Sequence, residues 1–551
     1  MSSIGRMCDR LERAFVGSIG PLALICTLQP ARAAPALQER AACRALASMV
    51  IARTQITYAS WVAAGTPIDV GFMRQRIADQ PAHCLVRGEV DRHVGKHGQP
   101  YADRFELRLP SNWNGRFLFQ GGGGLDGVLM PAIGLVSDAA GSKMPSALAR
   151  GFAVASSDGG HEQSSLRSPG DFGANPQALA DYEYNSTRVV TRVALELTKE
   201  YYRRSASRRY FMGCSNGGRE GMIAAQRYPE LFDGVIAGSP AFDLTRAMVA
   251  EAWNTDSFAQ IAPRNGAGRP GLAKALSDSD LRLLAHAVLA RCDALDGVRD
   301  GMIGDPAACR FDPSVLTCRR GSHRGCLSGA KVAAIRKVFN GPVDSQGHRL
   351  YSSWPYDTGI AAPAWRQWML GTEKMPAINL LIAPAAINGM ALGLRPPPID
   401  IWKFNFDRDP ERIAQAAAGL DAVSTDYSRM RKRHGKLLIY GGLSDPVFSA
   451  NDLVAYYRRV IAANGGVAAT QRFARLVLVP GMNHCGGGPS LDQFDTLTAM
   501  QAWVERGKAP QRLIARGTAF PGRTRALCAY PATAHYKGSG NIESAASFAC
   551  R

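Results

Sequence analysis

Two cysteines that lie far apart in the chain each adjoin a residue suited to nucleophilic chemistry. Cys214 precedes Ser215 in the segment GCSNGG, and Cys485 follows His484 in PGMNHCGGG. Bonded to each other, the two cysteines would hold a candidate nucleophile beside a candidate base, which restricts the fold to chain paths that bring these distant segments together. The pattern predicts a serine-dependent site closed by a disulfide.

Strand-like and helix-like segments alternate in two parts of the chain. FELRLP, RFLFQ and FAVASS precede a helical pattern over 186–202, after which RYFMG, GCSNGG, REGMIAAQRYP and GVIAGSP follow one another. The alternation returns with KLLIYGG, a helix through LVAYYRRVIAA, RLVLVPG and a final helix near LTAMQAWVERG. Strand, tight turn, helix and strand in this order predict an α/β fold with a parallel sheet.

Between these two parts the alternation lapses. Residues 242–427 are rich in Gly, Pro and Trp and contain four cysteines. A chain of 551 residues with 46% hydrophobic content also exceeds what one compact core usually takes. We therefore expect a catalytic domain formed by residues 34–241 and 428–551, with residues 242–427 inserted as a large lid domain.

Residues 1–33 have the composition of a secretion signal. Arg6, Arg10 and Arg13 precede a short apolar run over 14–28, and Ala31-Arg32-Ala33 offers a small-residue cleavage site. The apolar run is too short to span a bilayer comfortably. We expect a secreted or periplasmic protein that is soluble and has no membrane partner once the signal peptide is removed.

Ten of the twelve cysteines lie beyond this signal peptide, and an even number in an oxidising compartment indicates five disulfides. Proximity along the chain favours Cys292 with Cys309, Cys318 with Cys326, and Cys528 with Cys550. Pairing Cys43 with Cys84 would then leave Cys214 and Cys485, although the sequence does not fix the connectivity. Paired CxxC spacing is missing, which disfavours a zinc site.

The formal net charge of +19 raises the question of an anionic partner. Basic residues are scattered along the chain, and the densest run, residues 431–434, directly precedes an apolar strand pattern. This favours a solvated face. Nucleic-acid binding would also contradict export, so we expect no nucleic-acid partner, and the sequence gives no indication of an oligomeric state.

Ser215 fits the GxSxG motif between a strand and a helix. A serine hydroxyl needs a base to take its proton, and the base needs an acid to fix its tautomer. Asp445 follows the strand KLLIY, and His484 lies in the loop after RLVLV. The order Ser, Asp, His, each just past a strand end, predicts a catalytic triad. A purely structural glycine turn is the alternative, and the strand-turn-helix setting disfavours it.

Acyl transfer also needs backbone amides that stabilise an oxyanion. We expect the amide of Asn216 to be one donor, and the segment GGGGLDG over 121–127, after the strand RFLFQ, to supply the second. A phosphate-binding loop is the rival interpretation, but neither a P-loop lysine nor a dinucleotide-binding GxGxxG setting follows.

Residues 292–302, CDALDGVRDGM, concentrate three carboxylates in a turning segment. Asp293, Asp296 and Asp300, with the carbonyl oxygens of Val298 and Met302, offer the hard oxygen ligands that Ca²⁺ takes. The twelve-residue EF-hand pattern is missing. On spacing alone, a solvated acidic turn remains equally open.

Together these motifs resemble the tannase and feruloyl esterase family. The similarity covers nearly all of the chain after the signal peptide and is carried by GCSNGGREGM, CDALDGVRDG, VPGMNHCGGGP and AWVERG. The adjacent Cys-Ser and His-Cys pairs are more specific than GxSxG. The resemblance implies an α/β-hydrolase core with a lid, the triad Ser215, Asp445 and His484, and a bridge between Cys214 and Cys485. It also implies oxyanion amides from Gly124 and Asn216, and a structural Ca²⁺ in the lid at Asp293, Asp296, Val298, Asp300 and Met302.

The terephthalate-monoester branch of this family has an arginine in the lid that binds the substrate's free carboxylate, shortly after a segment similar to residues 365–371, WRQWMLG. The tryptophan of that segment corresponds to Trp368. We expect Trp368 to stack on an aromatic acyl group, and a purely structural role in the lid core is an equally open alternative. Residues 375–394 contain neither Lys nor Arg. We therefore expect a substrate with an uncharged phenolic ring, as in feruloyl or galloyl esters. Arg395 could replace the missing arginine if the loop follows a different path, so a terephthalate monoester is the alternative substrate.

The sequence thus predicts a secreted serine carboxylic-ester hydrolase that acts on small aromatic esters through an acyl-enzyme. A serine peptidase would share the triad and would be separated by comparing amide and ester analogues of one acyl group. A non-catalytic carbohydrate-binding or surface protein would not need the triad, so the presence of all three residues counts against it.

Overall fold

The computed structural model describes residues 34–551 except for 71–74, 96–97, 137–141, 143, 164–169, 265, 267 and 322–323. The predicted signal peptide, residues 1–33, lies outside the described residues. Within the described part of the chain, no helix is both long and apolar enough to cross a membrane.

The strands of the central sheet are β1 (Thr54–Val62), β4 (His83–Val94), β5 (Pro100–Pro110), β6 (Arg116–Gln120), β7 (Ala153–Ser157), β8 (Arg208–Cys214), β9 (Gly234–Gly238), β10 (Lys436–Gly442) and β11 (Ala474–Val479). Shorter strands form three separate hairpins: β2 (Ile68–Val70) with β3 (Gln75–Ile77), β12 (Arg512–Ala515) with β13 (Arg525–Cys528), and β14 (Ala534–Tyr536) with β15 (Phe548–Cys550).

The helices are α1 (Ala34–Ala45), α2 (Pro176–Ala180), α3 (Ser186–Tyr202), α4 (Asn216–Arg227), α5 (Leu244–Ala259), α6 (Asp278–Cys292), α7 (Gly329–Asn340), α8 (Pro363–Met369), α9 (Ile378–Ala385), α10 (Asp409–Ala414), α11 (Ala417–Leu420), α12 (Ser428–Lys432), α13 (Ala450–Ala463), α14 (Val467–Thr470) and α15 (Thr496–Arg506). Helix α3 has the bounds that the sequence pattern predicts.

The central sheet has the strand order β1-β4-β5-β7-β6-β8-β9-β10-β11. The strands from β7 to β11 in that order are parallel, whereas β1, β4 and β5 extend the sheet in antiparallel fashion. Every residue of β7 and β9 is buried, as expected for parallel strands covered on both faces. The predicted α/β fold is confirmed, and the antiparallel extension through β1 and β4 is an addition that the sequence patterns did not reveal.

One long excursion leaves this sheet and returns beside the strand it left. Strand β9 ends at Gly238 and β10 begins at Lys436, yet the two strands are parallel neighbours, with Val235 opposite Leu437. The predicted lid, residues 242–427, lies wholly within this excursion and has a hydrophobic cluster of its own. The exact domain boundaries remain a prediction.

Helix α5 carries an acidic side chain into the interior of the protein. It packs against α7, α9 and α10, and its residue Glu251 is only 5% exposed. Burial disfavours the charged form and raises the pKa of Glu251 to about 8. The folded protein therefore holds this carboxyl neutral at neutral pH.

We expect Glu251→Gln to reduce the pH dependence of the melting temperature. The unfolded chain ionises this glutamate near pH 4.5 and the folded protein near pH 8, so its contribution to stability is complete below the first value and is lost as the pH rises through the second. The loss is at most about 1.4 kcal/mol per pH unit. Thermal melts of both proteins across this range measure the difference, and parallel curves would contradict a neutral buried carboxyl.

Candidate active site

Ser215 lies on a sharp turn between β8 and α4. Its backbone has φ 63° and ψ −123°, a conformation that costs a non-glycine residue about 1–3 kcal/mol. A Cβ atom at Gly213 would lie 2.7 Å from the carbonyl carbon of Gly217, and one at Gly217 would lie 2.5 Å from the carbonyl oxygen of Gly122. The two glycines of GxSxG are therefore a packing requirement of the turn that presents the serine.

A continuous chain of hydrogen bonds joins Ser215, His484 and Asp445. His484 Nε2 lies 2.8 Å from Ser215 Oγ, and His484 Nδ1 lies 2.9 Å from Asp445 Oδ2. Asp445 Oδ1 accepts hydrogen bonds from the amides of Val447 and Phe448, at 2.9 and 3.1 Å. Because the carboxylate only accepts, the imidazole donates from Nδ1, which leaves Nε2 to accept the serine proton.

These three side chains come from the ends of three parallel strands, β8, β10 and β11. The carboxyl ends of parallel strands meet at one edge of a sheet, where α/β proteins place their sites. Strands β9 and β10 separate β8 from β11, which amounts to roughly 14 Å between the outer two. The loop that carries His484 must therefore reach back over two strands to meet Ser215.

A disulfide closes that gap directly beside the reacting groups. Cys214, the last residue of β8, is bonded to Cys485, with 6.0 Å between their Cα atoms and 271 residues of sequence separation. Closing so long a loop stabilises a fold by on the order of 5 kcal/mol in the chain-entropy model. The other four disulfides are Cys43–Cys84, Cys292–Cys309, Cys318–Cys326 and Cys528–Cys550. Three of these are the pairs that proximity along the chain favours.

The glycine-rich loop after β6 lies against the start of α4. The amide of Gly217 donates to the carbonyl of Gly122 at 3.1 Å, and the exposed Gly124 has a left-handed φ of 61°. Asn216 is the first residue of α4, and the amides of a helix's first turn have no partner within the helix. The structure thus brings the loop with Gly124 and the amide of Asn216 to the same turn as Ser215.

Two aromatic side chains flank the imidazole. The rings of Trp368, on α8 in the inserted segment, and of Phe448 each meet the His484 ring edge-on, with centroids 5.4 Å away. Trp368 is half-buried, so it contacts the base while part of its ring remains accessible. The structure places Trp368 at the triad; Phe448 was not singled out in the sequence, although it follows Asp445 closely.

Arg395 has a different environment. Its guanidinium donates from Nε to the carbonyl of Leu392 at 2.8 Å. It lines a cavity together with residues such as Leu179, Glu183 and Met390, and the residues lining this cavity include none of the triad. A guanidinium that binds the carboxylate of a substrate at Ser215 would instead have to line the same cavity as Ser215.

The acidic loop follows α6. Asp293 accepts hydrogen bonds from the amides of Asp300 and Gly301, and Arg525 on β13 forms an ion pair with Asp300. The pKa of Asp296 is raised to about 7 by burial and by the nearby negative charges of Asp300 and Asp293. Among the described residues, no three His, Cys, Asp or Glu side chains are grouped closely enough to hold a metal as they stand.

A small cavity beside the acidic loop is lined by two of the five expected calcium ligands, Asp296 and Met302. This cavity of about 40 Å³ is lined by Asp296, Met302 and Arg525 among others, enough for one water or ion. Buried carboxylates that repel one another favour a cation with hard oxygen preference. The acidic side chains match calcium in the hard oxygen atoms that they offer, whereas Arg525 already supplies a positive charge to Asp300.

The structure reveals three polar side chains near the glycine-rich loop that no sequence pattern indicates as functional. Asp126, Tyr182 and Glu220 are all buried, and all contact Asn216 or the loop. Asp126 lies in the GGGGLDG segment and Glu220 follows the GxSxG turn, but nothing in the sequence spacing indicates that they share one environment with Tyr182.

A mixed sheet whose strand ends unite a serine, an aspartate and a histidine, in this order along the chain, defines the α/β-hydrolase class. The family model for tannase and feruloyl esterase matches residues 84–551, and the chain belongs to that family. The mono(2-hydroxyethyl) terephthalate hydrolase of Piscinibacter sakaiensis is 40% identical, over 93% of this chain and 92% of its own. The probable feruloyl esterase B-2 of Aspergillus terreus is 28% identical, over 93% and 95%.

Solved structures give the same result. The crystal structure of feruloyl esterase B from Aspergillus oryzae aligns with a TM-score of 0.79 at 25% identity, covering 93% of this chain and 100% of that one. The α/β-hydrolase fold, the family and the enzyme class predicted from the sequence are thereby confirmed. The chain is a carboxylic ester hydrolase.

We expect replacement of Cys214 and Cys485 together by alanine to lower kcat by at least about tenfold, because small misplacements of a base are costly to rate. The loss in kcat should exceed the loss of folded protein at the assay temperature. The matched control is the double alanine variant of Cys318 and Cys326, a disulfide over a short loop. Steady-state kinetics with circular dichroism measure both effects, and wild-type turnover in a folded double variant would leave the bond a structural role only.

Proposed function

We propose that this chain hydrolyses small esters of uncharged aromatic acids, of the feruloyl or galloyl kind, through an acyl-enzyme on Ser215. The observation that carries the proposal is the hydrogen-bond chain from Ser215 Oγ through His484 to Asp445, at 2.8 and 2.9 Å. A serine so placed can lose its proton to the imidazole as it attacks. Membership of an esterase family supports the same chemistry.

The first half of the reaction forms the acyl-enzyme. His484 Nε2 takes the proton of Ser215 as Oγ attacks the ester carbonyl, and Asp445 stabilises the resulting imidazolium. The carbonyl oxygen becomes an oxyanion, for which the backbone amides of Gly124 and Asn216 are the donors. When the tetrahedral intermediate collapses, the alcohol leaves with the proton from His484.

The second half returns the enzyme to its starting state. Water gives a proton to His484 and attacks the acyl carbon, a second tetrahedral intermediate forms at the same amides, and its collapse releases the aromatic acid as Ser215 Oγ regains the proton. Trp368 and Phe448, which flank the imidazole, provide an apolar wall for an aromatic acyl group. Aromatic rings favour such offset or edge contacts.

We expect Ser215→Ala to abolish hydrolysis of feruloyl and galloyl esters, with kcat lower by at least about 10³-fold. The exposed Ser205, which lies just before β8 at its opposite end, provides the matched control as Ser205→Ala. The assay measures the released aromatic acid by chromatography. Retention of activity in the Ser215 variant would reject the acyl-enzyme.

A second candidate substrate is a terephthalate monoester, favoured by the 40% identity to the mono(2-hydroxyethyl) terephthalate hydrolase. Against it stand the lack of Lys and Arg in residues 375–394 and the position of Arg395 on a cavity whose lining residues include none of the triad. Neither Trp368 nor Phe448, which flank His484, offers a charge to an anionic para-carboxylate, and leaving such a group unpaired is costly.

The two candidate substrates differ in the charge of the acyl group, which is neutral in the phenolic esters and negative in the terephthalate monoester. We expect kcat/KM for a methyl ester of ferulic or gallic acid to exceed that for mono(2-hydroxyethyl) terephthalate by at least about tenfold, the effect of one missing charged hydrogen bond. The neutral diester of terephthalic acid is the control, since it has the ring without the charge. A preference for the charged monoester over its neutral diester would favour the second candidate.

We also infer that the acidic loop binds a structural calcium ion. Asp293, Asp296 and Asp300, with the carbonyl oxygens of Val298 and Met302, would hold it, and the ion would add to the single positive charge that Arg525 gives these three carboxylates. The raised pKa of Asp296 and the small cavity beside it support this inference. None of these residues belongs to the triad, so the ion has no place in the acyl transfer.

We expect added Ca²⁺ to raise the melting temperature and a chelator to lower it by several degrees, since a ligand that binds only the folded state stabilises it. Activity per folded molecule should stay unchanged. Asp296→Asn should remove the response, whereas Asp312→Asn, an exposed acid in the same segment, should keep it. Calorimetry with and without Ca²⁺ measures the melting temperatures of both variants and of the wild type. A wild-type melting temperature that does not change with Ca²⁺ would contradict the calcium site.

Export to the periplasm or the cell exterior is part of the proposal. Five disulfides require an oxidising compartment to persist. The basic start, apolar run and small-residue cleavage site of residues 1–33 support the same assignment.

A further inference from the structure

The side chain of Asn216, the residue after the nucleophile, is held from all sides. Its Nδ2 donates to Asp126 Oδ1 at 2.8 Å and to Glu220 Oε1 at 3.3 Å. Its Oδ1 accepts from the hydroxyl of Tyr182 at 3.1 Å and from Arg219 Nε at 2.7 Å. A buried amide with every hydrogen bond made has a single orientation, so the backbone of Asn216 is fixed through its own side chain.

The same side chains hold the glycine-rich loop. Glu220 Oε2 accepts from the amide of Gly122 at 3.2 Å, and the Tyr182 hydroxyl lies 3.4 Å from the carbonyl oxygen of Gly124. A Cβ atom at Gly122 would lie 2.6 Å from Asp126 Oδ2, so the Asp126 carboxyl packs directly beneath the loop. One buried polar group therefore contacts both halves of the oxyanion site.

At the centre of this group two carboxyls meet. Asp126 is 5% exposed and Glu220 is 8% exposed, and both accept hydrogen bonds from the same nitrogen, Asn216 Nδ2, at 2.8 and 3.3 Å. Two buried carboxylates that share one donor lie close enough to repel each other, which favours the neutral form of one of them. Arg219 does not replace that proton, because its N–H groups bond to Asn216 and to the carbonyls of Tyr182 and Glu183.

We propose that Asp126 and Glu220, which both accept from Asn216 Nδ2, are positioning residues that hold the amides of the glycine-rich loop and of Asn216 in register around the oxyanion. Neither residue contacts the substrate. Burial and the adjacent charge of Glu220 raise the pKa of Asp126 well above its ordinary value, which supports Asp126 as the partner that keeps the proton. This inference rests on the acyl-enzyme mechanism proposed above.

The roles of the two carboxyls are not symmetric. Glu220 accepts from two donors, the Gly122 amide and Asn216 Nδ2, so an amide in its place would turn an N–H₂ group toward one of them. Asp126 accepts from Asn216 with Oδ1, while Oδ2 has no hydrogen-bond partner among the described residues. Asparagine in place of Asp126 can keep the bond from Asn216 with its own Oδ1, and its Nδ2 replaces only the oxygen that has no partner.

The test compares Glu220→Gln with Asp126→Asn in the whole protein. We expect Glu220→Gln to lower kcat between about 10- and 100-fold, somewhat less than removal of an oxyanion donor, with KM within about threefold of wild type. Asp126→Asn should keep kcat within about threefold of wild type. An arylboronic acid, whose adduct with Ser215 places an oxygen in the oxyanion site, should lose affinity for Glu220→Gln by the same factor as kcat.

Control variants distinguish a positioning role from a general loss of stability and from failure of the proposed acyl-enzyme mechanism. Glu251→Gln, an equally buried carboxyl on α5, should leave kcat and boronate affinity unchanged. If Glu220→Gln does not fold at the assay temperature, Asp126→Ala, which breaks the same pair, takes its place with the same expected losses. Wild-type kcat and boronate affinity in a folded Glu220→Gln, or equal losses in Asp126→Asn and Glu220→Gln, would overturn the positioning role. An active Ser215→Ala would instead reject the mechanism on which it rests.

Discussion

The bond between Cys214 and Cys485 is the constraint on which the site's geometry depends. Strands β8 and β11 stand roughly 14 Å apart in the sheet, yet the nucleophile at the end of one must lie 2.8 Å from the base in the loop after the other. Cys214 and Cys485 each adjoin one of these residues, and their Cα atoms are 6.0 Å apart. The covalent link thus acts within one residue of both reacting groups, where a small displacement has the largest effect on proton transfer.

The turn at Ser215 transmits this constraint to the glycine-rich loop after β6. The left-handed backbone of Ser215 persists because glycine backbones at 213, 217 and 122 interlock with no room for a Cβ atom. That contact brings the glycine-rich loop onto the start of α4, directly above the buried group formed by Asp126, Glu220 and Tyr182. The strained turn at Ser215, the start of α4 and the buried side chains beneath the loop are therefore parts of one packed unit.

The inserted segment shapes the site without interrupting the sheet. It leaves after β9 and returns at β10, two adjacent parallel strands that pair regardless of what lies between them. Loop-closure entropy grows only slowly with length, so a long insertion at a strand end costs the fold little. The same strand end faces the triad, which lets α8 bring Trp368 to the imidazole. The inserted segment also packs against the core, because Met390 and Leu420 share a hydrophobic cluster with Phe172 and Tyr182.

The sequence by itself determined the local elements and the chemistry that they carry: parallel strands, the GxSxG turn, the order of Ser215, Asp445 and His484, and three short-range disulfides. Such features depend on periodicity and on neighbours along the chain. Only the tertiary structure decided that β1 and β4 extend the sheet, that Arg525 pairs with Asp300, that Arg395 lines a cavity without any triad residue, and that Asp126 and Glu220 share Asn216 as a donor. These contacts join residues whose separation is set by the paths of loops and by packing, and no local pattern records those paths.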